Sequence, residues 1–129
     1  MPEPPEGSST RSETPPSRFR RWWSSRVVVR DDSMRPTLRP GDRLLVDRRA
    51  YRDRPPRVRD VVVLVDPEDA HRWLVKRVSQ VDPSGVSVEV RGDATEMARD
   101  SRRFGPVPMR SVVGRVYRCY FPADRRQDL

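Results

Sequence analysis

Hydrophobic positions along this chain come in short runs that alternate with polar ones and are cut apart by proline, glycine and aspartate. The clearest run is His71 to Val81, rich in valine and carrying Trp73. A two-residue period there puts Leu74, Lys76 and Val78 on one face of a strand, and Trp73, Val75, Arg77, Ser79 and Val81 on the other. Val86 to Arg91 alternates as cleanly, and Asp82-Pro83-Ser84-Gly85 between the two runs is a hairpin turn. Arg59 to Val65 is an unbroken β-branched run, read as a central strand. Asp66-Pro67-Glu68-Asp69 turns it into the Lys76 strand. Shorter strands are predicted at Arg26 to Arg30, around Val27, Val28 and Val29, and at Asp42 to Asp47. A closing strand is predicted at Arg110 to Phe121, with Gly92 to Pro108 as a long loop. Short strands with regular turn signals predict a mainly β, small barrel-like core with one helical turn.

Three segments follow. Residues 1–25 form a tail: Met1 to Ser17 is Pro, Glu, Ser and Thr with no apolar residue after Met1, a composition that predicts disorder. Residues 26–122 form the folded domain, and residues 123–129 a C-terminal tail. Between tail and domain, Arg18 to Arg26 mixes arginines with Phe19, Trp22 and Trp23. Such a patch suits a lipid headgroup interface or nucleobase stacking; the plainer reading has the tryptophans covering the open end of a β core. No run approaches the roughly 18 apolar residues a membrane span needs, and none resembles a secretory signal. The expected location is cytoplasmic, with peripheral membrane contact through Arg18–Arg26.

Charge changes the picture less than its size suggests. Charged residues make up 36% of the 129, and the net charge is +8. The arginines are scattered among acids, so they read as solubilising charge rather than a nucleic-acid footprint. Cys119 is the only cysteine, which excludes an intrachain disulfide, and it is expected to pack beside Tyr117 and Tyr120. His71 is expected at a strand edge. No Cys/His set has metal-ligand spacing and no glycine-rich phosphate loop is present, so neither metal nor cofactor is expected.

Two residues carry the candidate chemistry. Ser33 follows the Val27–Val29 strand and opens a turn stiffened by Pro36 and Pro40. Taken alone, it reads as an ordinary turn serine. Lys76 is the one lysine among 27 basic residues. Unlike arginine, lysine sheds its proton when desolvated. Its strand places it between Leu74 and Val78, and burial of that face lowers its pKa toward that of a useful base. A serine beside a neutral lysine is a known nucleophile–base pairing.

Ser33-Met34-x-Pro36-Thr37-Leu38, then Pro40-Gly41-Asp42, Lys76-Arg77, Gly92-Asp93 and Asp100-Ser101-Arg102 resemble, in order and spacing, the successive motifs of type I signal peptidases. The resemblance spans Val27 to Val116. It implies a mostly β signal-peptidase-type catalytic core, Ser33 as nucleophile and Lys76 as general base. It further implies pairs Arg77–Asp93 and Asp100–Arg102 bracing the lysine strand, with Val27, Val29 and Met34 lining substrate pockets. A narrower resemblance, through Asp47 to Val63, is to the short soluble proteases that mature nickel-containing superoxide dismutase. Three positions depart from the pattern. Asp31 stands where relatives carry Ser or Gly near the oxyanion hole. Ala94 replaces an Asn, and Ala98 replaces a serine that orients the lysine amine, for which Ser101, Thr95 or water would substitute.

The implied activity is a Ser-Lys endopeptidase that removes an N-terminal extension from a precursor bound as an extended strand. The competing readings are a signal peptidase acting on exported preproteins at a membrane, and a non-enzymatic basic β module binding nucleic acid.

Overall fold

The computed structural model describes residues 24–94 and 99–129. Its centre is β3 (Val61–Asp66), whose apolar run is buried at almost every position. Both its faces are covered. Val61 and Val63 join Val29, Met34, Leu38, Leu44, Val46 and Val116 in one core cluster. Val62 and Leu64 join Leu74, Val78, Val88, Val90 and Val107 in the other. A strand covered on two sides needs apolar residues at successive positions rather than alternate ones, which is what Val61 to Leu64 supplies.

The remaining strands are β1 (Ser24–Val28), β2 (Arg43–Asp47), β4 (Asp69–Val81), β5 (Ser87–Arg91), β6 (Val107–Pro108), β7 (Val112–Phe121) and β8 (Gln127–Asp128). They form one eight-stranded antiparallel sheet in the order β1-β2-β7-β3-β4-β5-β6, with β8 added beside β7. The protein is mainly β, as the strand pattern predicts. In β4 the alternation holds: Leu74, Lys76 and Val78 are buried while Trp73, Val75, Arg77 and Ser79 are not. Val62 pairs with Lys76 across β3 and β4, and Val78 pairs with Val90 across β4 and β5.

Three segments differ from the sequence expectation. β1 begins at Ser24, where the Ser24 hydroxyl meets the Tyr117 hydroxyl at 2.8 Å. The Gly92–Pro108 stretch holds more than a loop. Helix α1 (Ser101–Phe104) starts on Asp100, whose carboxylate accepts the Arg102 N–H, and β6 then pairs with β5. Residues 123–129 pack against the domain: a 3-10 turn at Ala123–Arg125 leads into β8, and Leu129 packs on the first core cluster. The Arg125 guanidinium holds the buried Asp42 carboxylate at 2.8 and 2.9 Å, so a contact distant in sequence gives this polar segment its place. Residues 1–23 of the expected tail, Phe19, Trp22 and Trp23 among them, lie outside the described residues, as do Thr95 and Ala98, whereas Ser24 and Ser25 belong to β1.

Candidate active site

The turn that carries Ser33 is closed at its base and plugged into the core. Val29 N–H donates to Asp42 O at 2.9 Å and Gly41 N–H donates back to Val29 O at 2.8 Å. Gly41 makes this reversal at φ +93, a conformation that disfavours side chains. Met34 and Leu38 are fully buried in the first cluster. Burying side chains of that size stabilises by about 1.5–3 kcal/mol each, enough to hold a short irregular loop. Ser33 is thereby fixed and is itself 3% exposed.

Lys76 is 1% exposed and the largest fully buried side chain of the described residues. Burial pushes its ammonium below the ordinary lysine value; Asp31 and Asp100 pull it back, while Arg99 and Arg102 add to the lowering. Among the described residues no carboxylate comes within ion-pairing distance of it. β4 brings it to the serine. Arg77 pairs with Arg91, so one step along the antiparallel register sets Lys76 beside Gly92. Gly92 lies against Ser33: a Cβ there would fall 2.5 Å from the Ser33 carbonyl oxygen and 3.3 Å from its Cβ. Ala94 N–H donates to the same carbonyl at 2.9 Å. Only glycine permits that approach. Ala94, where the family pattern has Asn, supplies its backbone to this contact.

The braces implied by the resemblance are present. The Arg77 guanidinium donates Nε and Nη2 to the two Asp93 oxygens, both at 2.9 Å, and Thr37 Oγ1 donates to Asp93 Oδ2 at 2.6 Å. Asp93 thus ties β4 to the Ser33 turn. Burial alone would raise the Asp93 pKa, but the hydrogen bonds from Arg77 and Thr37 hold it below the usual carboxylate range. Asp100, fully buried, accepts Gly92 N–H at 2.9 Å and Arg102 N–H at 3.0 Å, and grips the Arg102 guanidinium at 2.6 and 3.1 Å. It too is held low, the Arg102 hydrogen bond first among the contacts that overcome its burial. The Ser101 hydroxyl accepts the Val90 N–H at 2.8 Å, an attachment to β5.

Asp31 is the feature the sequence flagged without placing. Its Oδ1 accepts the Ser33 backbone N–H at 3.0 Å, and its Oδ2 lies 3.8 Å from Arg72 Nη2 on β4. Burial would raise its pKa, but the Ser33 amide and hydroxyl, then the charges of Lys76 and Arg72, keep it low and ionised. Among the described residues no hydrogen bond joins the Ser33 hydroxyl directly to the Lys76 amine.

Beside this centre runs a groove of about 310 Å³, walled by Val27, Val29 and Met34 on one side and by Arg72, Trp73 and Val75 on the other, with Asp31 and Ser33 in its lining. Two strand edges face it. Among the described residues β1 pairs only with β2, and β5 covers β4 only from Arg77 onward, leaving His71 to Val75 open on that side. Unpaired strand edges of this kind accept an extended chain. Val29 and Met34 are mostly core, 4% and 1% exposed, so the more accessible Val27 and Trp73 offer the larger contact. No site role for Arg72, Trp73 or Thr37 follows from the sequence, although Thr37 lies within the serine motif. Only the free edge of β4, a property of the pairing, brings the first two to the site. Cys119 is buried in the first core cluster. Among the described residues no group of His, Cys, Asp and Glu is placed to hold a metal, and no helix is long and apolar enough to cross a membrane.

Residues 18–94, more than half of the chain, match the family described as signal peptidase, peptidase S26. The mitochondrial ATP-independent inner membrane protease subunit 1b of Arabidopsis thaliana is 37% identical over 105 residues, covering 65% of this chain and 62% of that protein. A Synechocystis protein named probable signal peptidase I-1 is 27% identical over 139 residues, covering 75% of this chain and 71% of its own length. The chain thus spans under two thirds of the first of these relatives. A serine turn, a buried lysine and two arginine–carboxylate braces in the order of the signal peptidase motifs accompany that match, and the chain belongs to the peptidase S26 signal peptidase family, a family of serine-type endopeptidases.

Proposed function

We propose that this protein is a Ser-Lys endopeptidase that cuts an N-terminal extension from a precursor protein. The observation that carries the reading is Lys76: a lysine all but removed from water, with its pKa pushed down by burial, on a strand whose register sets it beside the Gly92–Ser33 contact. An amine so placed is neutral more readily than any surface lysine and suits proton transfer near neutral pH.

In the proposed reaction the extension lies in the groove as an added strand between the edges of β1 and β4. Ser33 Oγ attacks the scissile carbonyl carbon as Lys76 takes the hydroxyl proton. The C–N bond breaks, the proton passes from Lys76 to the departing amine, and the extension remains as an ester on Ser33. Water, deprotonated by Lys76, then hydrolyses that ester and restores the serine. The Ser33 N–H serves as a donor to the oxyanion. Asp93 and Asp100 act through their arginines, Arg77 and Arg102, by fixing the loop that backs Ser33.

For the substrate, the resemblance to the short proteases favours the precursor of nickel-containing superoxide dismutase and a cytoplasmic enzyme. A second reading, exported preproteins cut at a membrane, is favoured by the inner membrane protease among the relatives. Incubating both precursor types with wild type, Ser33→Ala and Lys76→Arg tests chemistry and substrate together. Both variants should lose at least about 10³-fold in rate while keeping the wild-type circular dichroism spectrum. Undiminished cleavage by Lys76→Arg would remove lysine as the base. Sedimentation of the active protein with lipid vesicles would move the substrate assignment to the membrane reading.

A further inference from the structure

The donor that the reaction needs is already occupied. Ser33 N–H points at Asp31 Oδ1, 3.0 Å away, while Asp31 Oδ2 stands 3.8 Å from the Arg72 guanidinium. A carboxylate oxygen and a tetrahedral oxyanion carry the same charge and call for the same N–H. They cannot share it. Both Asp31 and Arg72 side chains reach solvent, 38% and 47% exposed, so the carboxylate sits at the edge of the site and has room to turn. Arg72 projects from the unpaired part of β4, in the wall of the groove that a substrate strand would fill. At 3.8 Å the pair stands outside hydrogen-bond range, so a closer, stronger contact remains for the carboxylate to adopt.

Resting on the Ser-Lys reading above, we infer that Asp31 is a latch: in the empty enzyme its carboxylate covers the Ser33 N–H, and in the working enzyme it swings onto Arg72, leaving that N–H to the substrate oxyanion. Asp31 and Arg72 are then positioning residues, and Arg72 is the receiver that makes release favourable. The latch also bears on the base. The groups acting on Lys76 are Asp31 and Asp100, which favour its charged form, and Arg99 and Arg102, which oppose it. Removing Asp31 takes away the first-named anion and leaves the others in place.

The test is a kinetic cycle on a cleaved precursor with Asp31→Ala, Arg72→Ala and the double variant, with Asp31→Asn as a second, shape-preserving change. Asp31→Ala should raise kcat about tenfold with a smaller change in KM, and move the acid limb of the kcat profile to lower pH. Arg72→Ala should lower kcat about tenfold in wild type yet have no effect on kcat once Asp31 is alanine. A peptide aldehyde, which forms a hemiacetal oxyanion on a nucleophilic serine, should bind Asp31→Ala more tightly than wild type by a similar factor. The latch is overturned by a fall in kcat and aldehyde affinity in both Asp31 variants, or by an Arg72→Ala effect of equal size in both backgrounds. Ser33→Ala separates the two readings. Cleavage that survives it defeats the serine mechanism, whereas a dead Ser33→Ala beside an Asp31→Ala no faster than wild type defeats the latch alone.

Discussion

Asp100 and Lys76 are equally withdrawn from water, at 0% and 1% exposure, yet the fold treats them in opposite ways. Asp100 is surrounded by donors: the Gly92 and Arg102 amides and the Arg102 guanidinium. Those bonds outweigh the cost of burying its charge, so it remains a carboxylate. Lys76 has aliphatic neighbours along its strand face and no carboxylate in ion-pairing range among the described residues, so Asp31 and Asp100 oppose its burial only from a distance and burial prevails. A buried charge that is fully met is architecture. A buried charge left wanting is a reagent, because its easier state is the uncharged one.

The largest effect should come from breaking that asymmetry at Lys76. Lys76→Met keeps the length of the side chain and removes the amine. Activity should fall by at least about 10³-fold, while stability near neutral pH rises by about 1 kcal/mol or more, as when other buried charges give way to apolar side chains. Thermal unfolding checks the second half. A fall in melting temperature would mean that the amine is well satisfied in the fold, and the contrast with Asp100 would collapse. The pH dependence has a definite sign. The folded-state pKa of Lys76 lies below its ordinary 10.5, so between the two the unfolded chain holds the extra proton. Stability therefore rises with pH through that window. The stability difference between wild type and Lys76→Met should shrink as pH climbs toward 10.5.

Gly92→Ala comes next, because it strikes where the two residues communicate. The new Cβ would sit 2.5 Å from the Ser33 carbonyl oxygen, a backbone atom with no flexible end to yield. Ser33 must shift, and a displacement of about an ångström costs on the order of 10²-fold in rate. Kinetics at saturating substrate, beside an unfolding curve, separate this displacement from global loss of structure. Asp100→Ala tests the architectural side. It removes the α1 cap, worth about 1 kcal/mol, and leaves the Gly92 N–H orphaned, worth about 1–3 kcal/mol. A loss near 3 kcal/mol in urea unfolding is expected, and a loss below 1 kcal/mol would show that Asp100 is not the anchor described above.

The same division explains what could be read ahead of the structure. β3 was legible as an unbroken β-branched run, and β4 and β5 through valine alternation and the Asp-Pro turns, because all of these signals act locally. The facing of Lys76 followed from Leu74 and Val78 alone. Helix α1 has four residues, too few for a period to show, and β8 is a polar pair whose place is set by Cys119, Arg118 and neighbouring chain. The Arg77–Asp93 and Asp100–Arg102 pairs came from family resemblance rather than from spacing. Asp31 was visible as a charge in an awkward place. Its two attachments were not, since the Ser33 amide depends on turn geometry and Arg72 on which part of β4 lies unpaired.

The smallest expected effect lies one residue from the latch and so marks its boundary. Asp32 and Arg35 form an ion pair across the Ser33 turn, with side chains 57% and 49% exposed. Asp32 is adjacent to Ser33 in sequence and carries the same charge as Asp31, so simple proximity would assign both the same importance. Solvent argues otherwise. Water screens a pair this open, and holding two flexible side chains together costs entropy, leaving about 0–1 kcal/mol. The turn also keeps its backbone bonds without the pair, including Arg35 N–H to Asp32 O at 3.1 Å and Leu38 N–H to Met34 O at 2.9 Å. Arg35→Ala should therefore change unfolding free energy by no more than about 0.5 kcal/mol and kcat by less than about twofold, with the acid limb of the pH profile unmoved. A shift of that limb to higher pH, as large as the opposite shift expected for Asp31→Ala, would mean that Lys76 responds to the overall charge of the turn, not to one carboxylate seated on the Ser33 amide.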